Sequence, residues 1–282
     1  MIRISFYLDI IKLYLLLNKN ALLTLKNFRK SIDEAYYIKP LKKMVTKEFN
    51  YIYFPKNETK KNGCPLCFNN IYTNKWLKLL PLKLKDRFFY LMPSHKEYVP
   101  LHFVLVDFVH TKMSIEKETI TYFIAFNKLF PDLTICTNCD LPFIGGSVSK
   151  HLHYQVGLME MPLFKCDATH LQDNIYKLNW YMTVYLIKDT NLETLKASYL
   201  KLFTSFHNDT HSFNIVLRKK HDTYYLYLIL RTIENIKRLD EFNEFKKGIG
   251  VFEAMGHFIL EENNYTLEEI ISLSKKILMA SS

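Results

Sequence analysis

The chain has 282 residues, 49% of them hydrophobic and 15% aromatic. That is enough to bury a sizeable core in one large domain or two small ones, and it excludes global disorder. The formal net charge is +10, but the lysines and arginines are scattered rather than gathered into one basic run. The expectation is therefore no nucleic-acid partner, although an anionic small molecule would also be attracted.

Residues 1–17 are apolar, but Arg3, Asp9 and Lys12 interrupt them and no small-residue cleavage site follows. Neither a signal peptide nor a membrane span is expected, which points to a cytoplasmic protein without a membrane partner. Ile10, Leu13, Tyr14 and Leu17 recur at the spacing of one face of a packed amphipathic helix. Residues 51–55 read as a short strand and 56–63 as a polar loop. Residues 88–92 and 101–106 are apolar runs of strand length. Residues 115–129 have a helical period, with Pro131 just past its end, and 133–136 read as a strand. Helical patterns return at 192–207 and 267–279, and 214–218 with 224–231 read as a hairpin. The sum is α+β with mainly antiparallel sheet.

Five cysteines form two pairs and a remainder. Cys64-Pro-Leu-Cys67 and Cys136-Thr-Asn-Cys139 both have the spacing of a metal knuckle. A disulfide framework is not expected in a large chain without a secretory signal. Either pair can equally be reduced, buried thiol.

The most informative stretch runs from Gly145 to Gln155, Gly-Gly-Ser-Val-Ser-Lys-His-Leu-His-Tyr-Gln. In a loop running into a strand, alternation puts His151, His153 and Gln155 on one face. Glycines are scarce, at seven in the chain, and Gly145 and Gly146 let backbone N–H groups approach an anion closely. Two imidazoles and an amide beside such a cradle suit chemistry at phosphorus, because an imidazole can attack a phosphoryl centre and carry it covalently. An isolated His-x-His would more often be a surface pair or half of a metal site.

The run Asn138-Cys-Asp-Leu-Pro-Phe-Ile-Gly-Gly-Ser147, followed by His151-x-His153-x-Gln155, resembles the second class of galactose-1-phosphate uridylyltransferases, in the histidine-triad superfamily. Asn20-Ala-Leu-Leu23, the strand-like run Tyr224 to Arg231, and Gly248-Ile-Gly-Val-Phe-Glu-Ala-Met-Gly256 are similar to further segments of that class. The resemblance implies a histidine-triad-like antiparallel sheet flanked by helices, in two related half-modules. It implies three parts: a helical segment over 1–60, a nucleotidyl-transfer half over 61–165 and a second half over 166–282. Its activity would be UMP transfer between UDP-glucose and galactose 1-phosphate through uridylyl-His153. By the same resemblance, Gln155 supports the phosphoryl group. Asn138, Asp140, Gly145, Gly146, Ser147, Arg231 and Glu253 contact substrate. Glu253 and Arg231 can otherwise be structural, as a helix cap and a salt-bridging arginine.

First-class members of the family bind zinc through a Cys-x-x-Cys pair and two histidines. The matching positions, Cys64, Cys67, His110 and His151, imply a closed structural zinc site and no organic cofactor. The rival set is Cys64, Cys67, Cys136 and Cys139. The resemblance also implies a homodimer. Two departures stand out. The family is usually longer between its N-terminal helix and the Cys64 position. It also carries a sugar-binding His-Pro-His segment where residues 232–247 here contain no histidine. A nucleotide-sugar phosphorylase or hydrolase of the same superfamily, or a non-catalytic zinc- and nucleotide-binding relative, are the alternatives.

Overall fold

The computed structural model describes residues 20–55, 63–72, 79–141, 150–246, 248–261 and 263–281. The expected helix at 10–17, most of the loop at 56–63, and Gly145, Gly146 and Ser147 lie outside the described residues. Strands are β1 (Lys42–Val45), β2 (Asn50–Phe54), β3 (Leu80–Leu84), β4 (Arg87–Pro93), β5 (Phe103–Asp107), β6 (Thr134–Thr137) and β7 (His153–Gly157). They continue with β8 (Ala168–Gln172), β9 (Ile175–Leu178), β10 (Val184–Asp189), β11 (His211–Lys220), β12 (Thr223–Thr232) and β13 (His257–Glu261). Residues 20–30 form α1. The other helices are α2 (Phe68–Tyr72), α3 (Thr119–Leu129), α4 (Leu192–Phe206), α5 (Ile233–Lys237), α6 (Val251–Ala254) and α7 (Leu267–Ala280).

Ten strands form one sheet in the order β3-β4-β5-β7-β6-β11-β12-β10-β9-β8, antiparallel at every pairing. The order contains a repeat that the residues did not reveal. Three strands, a helix and two strands (β3-β4-β5-α3-β6-β7) take the spatial order first, second, third, fifth, fourth. The run β8-β9-β10-α4-β11-β12 takes the same order, and the halves join where β6 pairs with β11. The antiparallel α+β sheet with two related half-modules is therefore present.

Both faces of this sheet are covered, which is why its strands read as apolar runs. Along β12, Leu226 and Leu228 share a core with Phe123 of α3 and Tyr199 of α4. Their neighbours Tyr227 and Ile229 share a second core with Tyr51 of β2, Phe258 of β13 and Ile277 of α7. Strand alternation sorts one run into two cores. The second cover is a small sheet, β1-β2-β13, in which β13 runs parallel to β2. α4 is capped by Asn191, whose side chain accepts from Glu193 N and Thr194 N. α7 begins with a reciprocal Thr266–Glu269 capping box.

The expected helix at 115–129 begins four residues later, at Thr119. Ile115 donates its N–H to Asp140 Oδ2 and Glu116 donates its N–H to Thr119 Oγ1, so the first residues form a tethered turn. The hairpin expected at 214–231 is present as β11 and β12. Strand β8, exposed throughout, has no apolar face that could have announced it.

Candidate active site

Strand β7 is held between β5 and β6, with Val106 opposite His153 and Val104 opposite Gln155. Leu152, Tyr154 and Val156 enter the helix-side core, which leaves His151, His153 and Gln155 on the other side. The strand itself begins at His153, and His151 sits in the bend before it. Gly157 ends the strand against the turn at 99–101: a Cβ there would lie 2.6 Å from Val99 Cγ2. That close approach fixes the end of β7 against the residues that carry His102.

His153 is buried and donates Nδ1–H to the His151 carbonyl at 2.8 Å. The proton is thereby placed on Nδ1, and Nε2 keeps its lone pair. Burial pulls the His153 pKa below its ordinary value, so the neutral form is favoured. Gln155 Oε1 lies 2.7 Å from His102 Nε2. These atoms provide a neutral imidazole with a lone pair on Nε2 and an amide on one strand face, two residues apart.

Cys64, Cys67, His110 and His151 come together with their ligand atoms all within 4.8 Å of one another. Cys64 Sγ is 3.4 Å and Cys67 Sγ 3.8 Å from His151 Nδ1, and Cys67 Sγ is 2.9 Å from His110 Nδ1. Ligand atoms around a tetrahedral zinc stand roughly 3.3–3.8 Å apart, a range that holds both contacts of His151 with the thiols. His151 Nε2 donates to the Asp107 carbonyl at 2.9 Å, which turns a bare Nδ1 toward the thiols. The four residues can hold a metal ion. Cys136 and Cys139 belong to no such group among the described residues. Both are buried, and burial pushes the Cys139 thiol up to about 11.

Of the remaining expected contacts, Asn138, Asp140, Arg231 and Glu253 lie among the described residues and form a hydrogen-bonded polar belt. Asn138 Oδ1 accepts from Val251 N at 2.8 Å, tying the end of β6 to the start of α6. Asp140 accepts from Ser212 Oγ at 2.5 Å and from Ile115 N at 2.9 Å. Arg231 is fully buried and donates Nη1–H to Asn214 Oδ1 (3.0 Å) and to the Ile249 carbonyl (3.3 Å). Its Nε and Nη2 have no hydrogen-bond partner among the described residues. Glu253 accepts from Gly250 N at 2.9 Å at the start of α6 and pairs with Lys246 Nζ at 3.0 Å. Lys150 is exposed.

Two supporting residues were not singled out from sequence. Asp107 is buried, pairs with Arg87 at 2.6 Å and accepts from Thr111 Oγ1, which fixes the turn carrying His110. Asn214 bridges Arg231 to the Thr137 carbonyl. Each is a single polar residue inside an apolar run, and that interruption was the available signal.

No family model matches the chain. It is 27% identical over 244 residues to a galactose-1-phosphate uridylyltransferase of Fusobacterium nucleatum, covering 75% of this chain and 46% of that one. Against the enzyme of that name from Bacillus subtilis it is 32% identical over 109 residues, covering 39% and 20%. Against that from Enterococcus faecalis it is 25% identical, covering 72% and 49%. The chain thus spans about half the length of the curated relatives it matches most broadly. Among solved structures, yeast Ap4A phosphorylase aligns with TM-score 0.59 at 14% identity over 88% of this chain and 92% of that one. The fold is therefore histidine-triad-like, and the sequence is similar to that of galactose-1-phosphate uridylyltransferases.

Proposed function

We propose that the protein is a cytoplasmic nucleotidyltransferase of galactose metabolism that moves UMP between UDP-glucose and galactose 1-phosphate. The observation that carries the reading is His153, buried and held as the Nδ1–H tautomer by its bond to the His151 carbonyl. Its Nε2 lone pair would attack the α-phosphorus of UDP-glucose. The bond from that phosphorus to the bridging oxygen breaks, and glucose 1-phosphate leaves with the electron pair. A phosphate oxygen of galactose 1-phosphate then attacks the uridylyl group, forms UDP-galactose and returns the lone pair to Nε2. Similarity to the named relatives supports this donor and acceptor.

In this reading Gln155 donates to the non-bridging oxygens as charge shifts onto them. Asn138, Asp140, Gly145, Gly146 and Ser147 shape the anion-binding segment, and Glu253 borders the sugar. Arg231 brings a buried positive charge whose unpartnered N–H groups suit a phosphate. Zinc held by Cys64, Cys67, His110 and His151 would supply structural rigidity, fixing the bend that leads into His153.

The test is the intact mass of the protein after exposure to UDP-glucose and denaturation without acid. The expected result is a gain of one uridylyl group, absent in His153→Ala. A protein that binds the nucleotide but gains no mass is not this enzyme. The absence of histidine from residues 232–247 favours a second reading, in which phosphate or water accepts the group. In that case the adduct would form and galactose 1-phosphate would fail to discharge it.

A further inference from the structure

We propose that His102 is a positioning residue that grips Gln155 by its carbonyl and turns the amide NH2 toward the phosphoryl group. This rests on the reading of His153 as nucleophile and Gln155 as phosphoryl contact, and it adds a residue outside that pair. His102 is 1% exposed and packs between Tyr98, with ring centroids 5.0 Å apart, and Phe252, at 5.4 Å. Its Nε2 lies 2.7 Å from Gln155 Oε1.

The location of the single imidazole proton follows from the neighbouring partners. Burial lowers the His102 pKa, so the ring carries one N–H rather than two. Nδ1 is 3.3 Å from the Tyr98 N–H, which donates to it, and 2.9 Å from the Lys96 carbonyl. That carbonyl already accepts from Ser94 Oγ at 2.8 Å. With the proton on Nε2, Tyr98 N–H, Ser94 O–H and His102 Nε2–H each find an acceptor. With it on Nδ1, the Lys96 carbonyl accepts it through its second lone pair at 2.9 Å, but the Tyr98 N–H loses its acceptor and Gln155 must reverse its amide. A phosphoryl group offers only acceptors, so it selects the first arrangement, with both amide hydrogens free to donate.

The grip is rigid on both sides. Leu158 N donates to the Pro100 carbonyl at 2.9 Å, and Leu101 sits at φ +53°. The turn before β5 and the end of β7 are thus fastened together. A long, flexible amide is converted into a fixed donor, which is what transition-state stabilisation requires.

The experiment measures the rate of uridylyl-adduct formation and the affinity for UDP-glucose in wild type, Gln155→Ala, His102→Phe, His102→Gln and the double variant His102→Phe/Gln155→Ala. His102→Phe is expected to slow adduct formation about 10- to 100-fold while affinity changes less than about threefold. The double variant should be no slower than Gln155→Ala, and His102→Gln, which keeps a donor near the Nε2 position, should recover much of the loss. A wild-type rate in His102→Phe, or effects that multiply in the double variant, would overturn the proposal. The side-chain amide resonances of Gln155 in the 15N spectrum, identified by their loss in Gln155→Ala, supply a readout without turnover. They are expected to move in His102→Phe or His102→Gln, whichever folds with a wild-type melting profile, and unmoved resonances overturn the grip. Moved resonances with no adduct in the wild type would instead sink the assignment of His153.

Discussion

His257 opens β13 with its Nε2 buried and unpartnered among the described residues. Burial pushes its pKa from 6.5 down to about 4, although Glu253 and a hydrogen bond to the Tyr98 backbone work in the other direction. His102 and Lys43 also face it and oppose its protonation. Between those two pH values the unfolded chain takes up a proton that the folded chain refuses. Stability from this group is therefore complete above about pH 6.5 and is lost as pH falls toward 4, by up to about 3 kcal/mol. His257→Leu should flatten the rise in urea-unfolding free energy between pH 4 and 6.5 relative to wild type. Equal slopes would show that the imidazole is neutralised by other means. Arg231 poses the complementary problem of a buried charge with only neutral partners. Exchanging such a charge for an apolar side chain of similar length is often neutral. Arg231→Met should thus keep the ligand-free unfolding free energy within about 2 kcal/mol while losing most of the thermal stabilisation that UDP-glucose gives the wild type. A variant that melts early but retains its response to UDP-glucose would assign the guanidinium to the fold alone.

At the scale of elements, the cysteine–histidine cluster gathers three separate pieces of chain. The pair Cys64–Cys67 lies at the start of α2, His110 on the turn after β5, and His151 in the bend before β7. The first piece is also held by packing: Leu66 and Ile71 share a cluster with Tyr90, Met92, Val104 and Val106, Tyr90 Oη donates to the Leu66 carbonyl, and Phe68 packs on Phe108 with ring centroids 5.4 Å apart. Zinc removal by a chelator at neutral pH should lower the melting temperature by about 5–10 °C, a loss of a few kcal/mol in a chain of this size. Cys67→Ser should melt at the chelated temperature and respond no further to chelator. Metal analysis giving no bound zinc in the wild type would reject the assignment.

The elements that sequence made legible are those with one clear period. β12 and its partner β11 announced themselves by length and apolar content, and α4 and α7 by a helical stripe. β8 is exposed along its whole length, and β3 carries Pro81, so neither had a pattern to read. The four cluster ligands were named through the spacing of a family resemblance, and the fold brings those four together. The contact of His102 with Gln155 left no signal in the sequence, because it spans 53 positions.

For the whole molecule, the two halves share one strand order but differ in chemistry. β7 carries His153 and Gln155, whereas its counterpart β12 presents Tyr227, Ile229 and Arg231 on the same side of the sheet. The second half contributes position instead of an imidazole. It packs β11 against β6 and leads, beyond β12, to α6, whose first N–H is accepted by Asn138. That bond joins the motif segment of one half to the cover supplied by the other, far apart in sequence. Asn138→Ala leaves the buried Val251 N–H without this acceptor, and such a group costs roughly 1–3 kcal/mol. The expected outcome is a loss of that size in urea unfolding with an unchanged denaturant slope, together with slower adduct formation as α6 settles differently over the polar belt. If Asn138→Ala lost adduct formation with no loss of stability, Asn138 would act by direct contact with substrate and not by joining the two halves.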